Sequence, residues 1–322
     1  MPELDIIEYA NHITCIDTHY QRPELAACYL VESEGEAVFI DTGTSHTVPY
    51  LMDVLAAKGI QPSQVKYVIP THVHLDHAGG AGELIRRLPN ASLVIHPYGA
   101  KHMIDPSKLI AGATAVYGEE QFERQFGKLT SIPKERVIEA PDNTRLSFGN
   151  RELLILDTPG HARHHFCVYD AMGQAMFTGD TFGLSYREFD TEHGHFIMPT
   201  TTPVQFDPEA WQNTLERLIT LSPERIYLTH YGEIGRPMEM AEKLSRYIEE
   251  FAAIARASSA NPGDERVADI RNSLKDWMMD KLKAHGCRLS PEIIEQRMSM
   301  DLHLDAQGLD VWLTRLEQTQ DG

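Results

Sequence analysis

The chain has 322 residues, with 47 acidic side chains against 29 basic ones, a formal charge of −18 before any of its 16 histidines is counted. A chain this acidic repels a phosphate backbone unless its cations gather on one face, and it contains no run of Lys and Arg, so nucleic acid is excluded as the expected partner. With 42% apolar and 24% charged residues it has the make-up of a globular protein able to bury a large core.

In chain order, the first fifteen residues lack the basic start and long apolar run of a secretory signal, and no later stretch reaches membrane-spanning length. The expectation is a cytoplasmic protein with no membrane partner. From Ala26 to Asp41 two strand-like runs flank the turn Glu34-Gly35, and an amphipathic helix follows from Val48 to Lys58. Val65–Pro70 reads as a buried strand that ends at the histidine-rich segment Thr71–Gly80. A helix near Glu83–Leu88 comes next, with strands at Ser92–His96, Glu152–Asp157, Phe166–Tyr169 and Ala175–Thr178. Asp207-Pro208 reads as the cap and first residue of a helix bearing Trp211, Leu215 and Leu218, and Arg225–Leu228 is the last strand. From Pro237 onward only helices are expected, broken at Asn261-Pro262-Gly263 and restarted at Ser290-Pro291. Strands alternating with helices give an α/β class.

Thr71-His72-Val73-His74-Leu75-Asp76-His77 places three imidazoles and a carboxylate immediately after a strand. Alternate side chains of an extended segment share a face, so His72 and His74 can grip one ion, while a turn beyond them presents Asp76 and His77 to a second. The four cysteines, Cys15, Cys28, Cys167 and Cys287, lie far apart without a C-x-x-C, which points to free thiols and not to a thiolate site.

This segment resembles the H-x-H-x-D-H signature of the metallo-β-lactamase-fold superfamily. Asp41-Thr42-Gly43, Thr158-Pro159-Gly160-His161, Thr178-Gly179-Asp180 and Thr229-His230 are similar to its other motifs, in the family's order. The resemblance covers about residues 10 to 235. It implies an αββα sandwich of two mixed sheets flanked by helices, with a helical C-terminal extension. Residues 1–236 would be the catalytic domain, with 98–130 a candidate lid, and 237–322 the extension.

The resemblance further implies that His72, His74 and His161 hold one metal, that Asp76, His77 and His230 hold another, and that Asp180 bridges them. The cofactors would be two divalent ions, zinc first, with iron or manganese as alternatives, and a metal-bound hydroxide would be the nucleophile with Asp76 and Asp180 as its catalytic supports. Asp41 and His165 would orient ligand rings. An aspartate at 180 is similar to the glyoxalase II, lactonase and thioesterase branch and unlike a true β-lactamase. The reaction expected is hydrolysis of a small-molecule ester, lactone or thioester. Two alternatives stay open: iron-dependent redox chemistry on a persulfide or dioxygen, and a metal-containing ligand-binding or regulatory protein.

Tyr20, Arg22, Phe182, His193 and His195 are candidate substrate-lining residues, since they lie in loops before the first clear strand or after Asp180. His12, His19, His46, His96, His102, His164, His285 and His303 are expected to be surface or satisfied core histidines. Met278, Met279, Met298 and Met300 suggest adaptable apolar packing of the helical extension against the core or against a second copy of the chain, the candidate protein partner.

Overall fold

In the computed structural model, residues 4–202, 204–258 and 263–320 are described, and the chain divides into two compact units. The first runs to Thr158 and adds His164–Gly179 and Pro223–Gly235; the second takes Pro159–Arg163, Asp180–Ser222 and the chain from Arg236 onward. The helical segment expected from residue 237 is thus one part of a unit that also draws on two earlier stretches.

The first unit holds both sheets. Strands β1 (Ile6–Tyr9), β2 (Ile13–Asp17), β3 (Ala27–Ser33), β4 (Glu36–Ile40), β5 (Val65–Ile69), β6 (Ser92–Ile95) and β7 (Val137–Glu139) lie side by side in that order. They are antiparallel up to β4 and parallel from β4 to β7. The tight turn between β3 and β4 is made by Glu34 and Gly35, both at positive φ, the geometry whose twist matches a two-residue hairpin. Strands β8 (Arg145–Phe148), β9 (Arg151–Asp157), β10 (Phe166–Asp170), β11 (Ala175–Gly179), β12 (Arg225–Leu228) and β13 (Gly232–Ile234) form the second sheet, with β11 and β12 parallel and the other pairs antiparallel.

Side chains alternate along β3, so its two faces enter two cores. Cys28 and Leu30 pack with Leu51, Val54 and Leu55 of α1 (Val48–Ala57) and with Leu84 and Ile85. Tyr29 and Val31 meet Phe148, Ile155, Phe166, Val168 and Phe177 of the other sheet. Burial on both faces explains why ACYLVES reads as a nearly continuous apolar run. Beyond α1, this unit carries α2 (Leu75–Ala78), α3 (Ala81–Arg87), α4 (Pro97–Ile104), α5 (Ser107–Tyr117) and α6 (Glu119–Phe126). The last three occupy the segment 98–130.

The second unit contains α7 (Pro208–Thr220), α8 (Pro237–Ala257), α9 (Asp264–Ala284) and α10 (Pro291–Gln320). Asp207 caps α7 as expected: its Oδ1 accepts the Ala210 N–H at 3.0 Å, with Pro208 at the first position. Of the expected break between α8 and α9, Asn261 and Pro262 lie outside the described residues, and Gly263 at positive φ precedes α9. Trp277 sits edge-on between Tyr247 and Phe251, each at 4.9 Å, and Met278 and Met298 are buried. Among the described residues, no helix is long and apolar enough to cross a membrane.

Five strands escape the sequence reading. The chain does not open with the hairpin at residues 26–41, because β1 and β2 precede it. β1, β7 and β8 are three or four residues long and partly exposed, too short for an alternation to stand out. β2, buried throughout, and the three-residue β13 complete the sheets. No disulfide joins the four cysteines; Cys287 alone is not buried, and burial pushes the Cys28 thiol well above its usual pKa.

Candidate metal centre

The first unit assembles Asp76, His77 and His230 at the ends of two strands from different sheets. After β5 the chain runs through Thr71 and His72 to His74, whose carbonyl accepts the N–H of Ala78 at 2.8 Å and starts α2. That helical turn presents Asp76 and His77, as the sequence predicts. His230 follows β12. One ligand atom from each of these three residues lies within 4.8 Å of the other two. His77 Nε2 is 3.7 Å and His230 Nε2 3.2 Å from Asp76 Oδ2.

The opposite ring nitrogens are held by the protein. His77 Nδ1 donates to Asp41 Oδ2 at 3.0 Å, and His230 Nδ1 to the Leu25 carbonyl at 2.7 Å. Each bond favours a tautomer with the proton on Nδ1 and the lone pair on Nε2, the form that binds a metal ion. Two imidazole nitrogens and a carboxylate oxygen make a donor set suited to a divalent ion. The Asp76 side chain is 23% exposed, so the group opens to solvent on that side.

Asp41, fully buried at the end of β4 with φ 57°, is the hub beneath this group. Its carboxylate accepts the Thr71 N–H at 2.7 Å, the Thr71 hydroxyl at 3.0 Å, His77 and the Thr229 hydroxyl at 2.6 Å, which satisfies a buried charge that would otherwise be costly. Because the Thr71 hydroxyl donates to Asp41, its oxygen accepts from His72 Nδ1 at 3.1 Å, and the His72 tautomer is set in turn. His72 packs against His74 at 4.4 Å and His77 at 4.0 Å between ring centres. His165 lies 4.9 Å from His72, with its Nδ1 2.8 Å from the Thr158 hydroxyl.

In the second unit, His161 Nδ1 donates to the Thr200 carbonyl at 3.0 Å, and its Nε2 is 3.5 Å from Asp180 Oδ2. Gly160, at φ 137°, lets the chain lie directly on Trp211, where any Cβ would collide. The Trp211 indole N–H donates to the carbonyl of Thr181, the residue after Asp180, and its ring stands edge-on to His161 at 6.0 Å. The carbonyl that orients His161 lies in a clamped segment. Asp305 on α10 accepts the Thr201 N–H at 2.6 Å, and a Cβ at Gly308 would fall on the Thr201 carbonyl.

Other expectations fare differently. His164, expected to be surface or satisfied core, is buried, with its ring 5.6 Å from that of His74 and stacked 6.1 Å from that of His72. It lies in the turn between His161 and β10, a proximity invisible in spacing. His96 is satisfied by Asp157 at 3.1 Å. Tyr20 stacks on Phe126 at 5.9 Å, and Arg22 is half-exposed in the same loop. Phe182 is fully buried. His195 joins Asp190 at 2.9 Å and Arg187 at 2.5 Å, while His193 lies against His285. The sequence reading assigned no role to Thr71, Thr158 and Thr229, although each stands inside a quoted motif.

Metallo-beta-lactamase fold-containing protein ST1585 of Sulfurisphaera tokodaii is 28% identical over 230 residues, 70% of this chain and 80% of its own. Its crystal structure matches with a TM-score of 0.57 and shares the mixed sheets and flanking helices. The atrochrysone carboxyl ACP thioesterase of Passalora fulva is 25% identical over 256 residues, 75% of this chain and 62% of its own. N-acyl homoserine lactonase AttM of Agrobacterium fabrum is 29% identical over 114 residues, 35% of this chain and 39% of its own. The chain therefore spans less than two thirds of these last two proteins. The family model of the Metallo-beta-lactamase superfamily matches residues 22–230, from the loop of Arg22 to His230, and the chain belongs to that superfamily.

Proposed function

We propose that the protein is a dinuclear metal-dependent hydrolase, zinc-loaded, acting on a small-molecule ester, thioester or lactone. Asp76, His77 and His230 hold one ion; His72, His74 and His161 hold the other, with Asp180 shared. The observation that carries this reading is the orientation of the histidine rings by their Nδ1 contacts. His77, His230, His72 and His161 each engage Nδ1 with a protein oxygen, which turns Nε2 toward the neighbouring donors and supports its use as a metal ligand. Two divalent ions supply an activated water near neutral pH and charge stabilisation for a carbonyl under attack. The chain's own part is to orient these rings through Asp41, Leu25, Thr71 and Thr200, and to leave Asp76 open on the side from which a substrate enters. The names of the thioesterase and lactonase relatives support the choice of bond.

Metal analysis of the purified protein, with a hydrolysis panel of thioesters, lactones and phosphodiesters, tests the proposal. Two zinc ions per chain and acyl-bond hydrolysis abolished by His72→Ala and by Asp180→Ala are expected. Fewer than one ion per chain, or activity that survives both substitutions, sinks it.

A further inference from the structure

Lys58, Lys66, Lys275 and Lys281 are half-buried, and each has a carboxylate oxygen within 3.4 Å of its ammonium. Lys243, on α8, is half-buried too, yet among the described residues no carboxylate lies within ion-pair distance of it. In a chain this acidic the exception has a visible cause: the candidate partners are already taken. Glu239, one helical turn earlier, is held by Arg236, whose Nη1 lies 3.0 Å from its carboxylate. Glu250, further along the same helix, is held by Lys281 at 2.8 Å and by the Trp277 indole N–H. What faces the Lys243 ammonium instead is a pair of aromatic rings, with the Phe196 centre 5.6 Å and the Tyr247 centre 5.9 Å from Nζ. Both stand near the outer limit of about 6 Å for cation–π attraction, so they replace a carboxylate poorly.

The charges around Lys243 favour the neutral amine. Burial lowers its pKa, Arg246, Arg236 and Lys281 lower it further, and Glu239 opposes them only in part. His285, just past α9, supplies no anion: burial, Lys243 and His193 push it toward its neutral form, against Asp190 and the Gly194 carbonyl. An uncharged lysine amine is a nucleophile, and Lys243 keeps part of its surface in water. The three cations that disfavour its proton also attract a small anion, which selects among acyl donors.

We propose that Lys243 is a covalent modification site, acylated at Nζ by small acyl phosphates; this does not depend on the hydrolase reading above. The Nζ lone pair forms a C–N bond to the acyl carbon, the C–O bond to phosphate breaks with its electron pair, and the amine proton leaves on the released hydrogen phosphate. The product is an uncharged amide where a cation stood over the Phe196 and Tyr247 rings.

The test treats the full metal-loaded chain with acetyl phosphate near neutral pH and reads the initial acetylation rate of every lysine by peptide mass spectrometry. Rates are compared within one molecule, so consumption of the probe cancels. Lys243 is expected to react on the order of tenfold faster than Lys281, and faster than the exposed Lys283, with the lead shrinking above about pH 10.4, where ordinary lysines also lose their proton. Arg236→Gln frees Glu239 to pair with Lys243 and should slow it about twofold or more. Glu250→Gln, which removes the partner of Lys281, should speed Lys281 and leave Lys243 as it was. Circular dichroism checks the fold of both variants. A Lys243 rate no greater than that of Lys283 overturns the proposal and leaves this lysine a packing residue. A lead over Lys281 that is unchanged in both folded variants overturns it as well, since the amine would then owe nothing to its surroundings.

Discussion

Asp305 and Thr201, 104 residues apart in sequence, are joined at 2.6 Å by a hydrogen bond from the Thr201 backbone N–H to the Asp305 carboxylate. The next carbonyl back along the chain, that of Thr200, holds the Nδ1 proton of His161. The long C-terminal helix thus reaches His161 through two residues of loop, and the Thr201 hydroxyl reinforces the contact by donating to the Asp305 carbonyl oxygen at 3.0 Å.

Asp305→Ala should leave the buried Thr201 N–H without an acceptor, at a cost of about 1–3 kcal/mol, and loosen His161. Asp305→Asn, which keeps an acceptor, should retain both stability and metal content. Melting temperature and metal stoichiometry of the two variants check this. Equal metal loss in both would mean that the helix does not act through this bond.

Burial pushes the Asp305 carboxyl well above the usual carboxylate range, with Asp301 and Asp180 adding to the rise. The folded state therefore keeps a proton that the unfolded chain releases near pH 3.9, and stability contributed by this group falls as pH rises through the window above that value. Denaturant titrations across pH should show the slope in the parent chain and a shallower one in Asp305→Asn. An unchanged slope would assign it to other groups.

Asp41→Asn should weaken metal binding by about 10- to 100-fold. The substitution exchanges an oxygen that accepts from His77 and Thr229 for a group that also donates, and it frees the His77 ring to turn. Competition with a chromophoric chelator measures the loss, and an unaltered affinity would remove Asp41 from the ligand support.

Gly179 sits at φ 49°, and a Cβ there would come within 2.5 Å of the Thr71 hydroxyl and 2.6 Å of His165 Nε2. Gly179→Ala should cost about 1–3 kcal/mol and disturb the Thr71 relay to His72. Thermal unfolding read alongside metal content should show both losses together.

Arg151 and Asp170 form an ion pair at 3.0 Å, with both side chains almost fully buried in the second sheet. Arg151→Ala should destabilise by about 3–5 kcal/mol, because it strands a buried carboxylate. Unlike Gly179→Ala, it should leave the metal stoichiometry of the folded fraction unchanged.

What the sequence makes legible is what is local. The segment from His72 to His77 announces itself because a strand and one helical turn suffice to fan its donors, and the Glu34-Gly35 turn and the Asp207-Pro208 cap are equally self-contained. The supports are not local. Thr229 meets Asp41 across 188 positions, and His164 meets His72 only because β10 pairs where it does. Nothing in spacing reports such a contact. The helices of segment 98–130 stay hidden for a related reason: the segment reads only as a candidate lid, and whether the apolar face of α5 is covered depends on residues distant in sequence.

Gly308 stands in the interior of a thirty-residue helix, where glycine is the costliest common choice short of proline. The Thr201 carbonyl occupies the place of its missing side chain. A protein engineer trimming or stabilising the C-terminal helices would replace this residue early, reading it as a defect, and alanine there would press on the loop that carries Thr200. The same reasoning gives a search criterion: a homologous extension that braces its ligand loop in this manner must leave that position bare, whereas one that is merely appended is free to fill it.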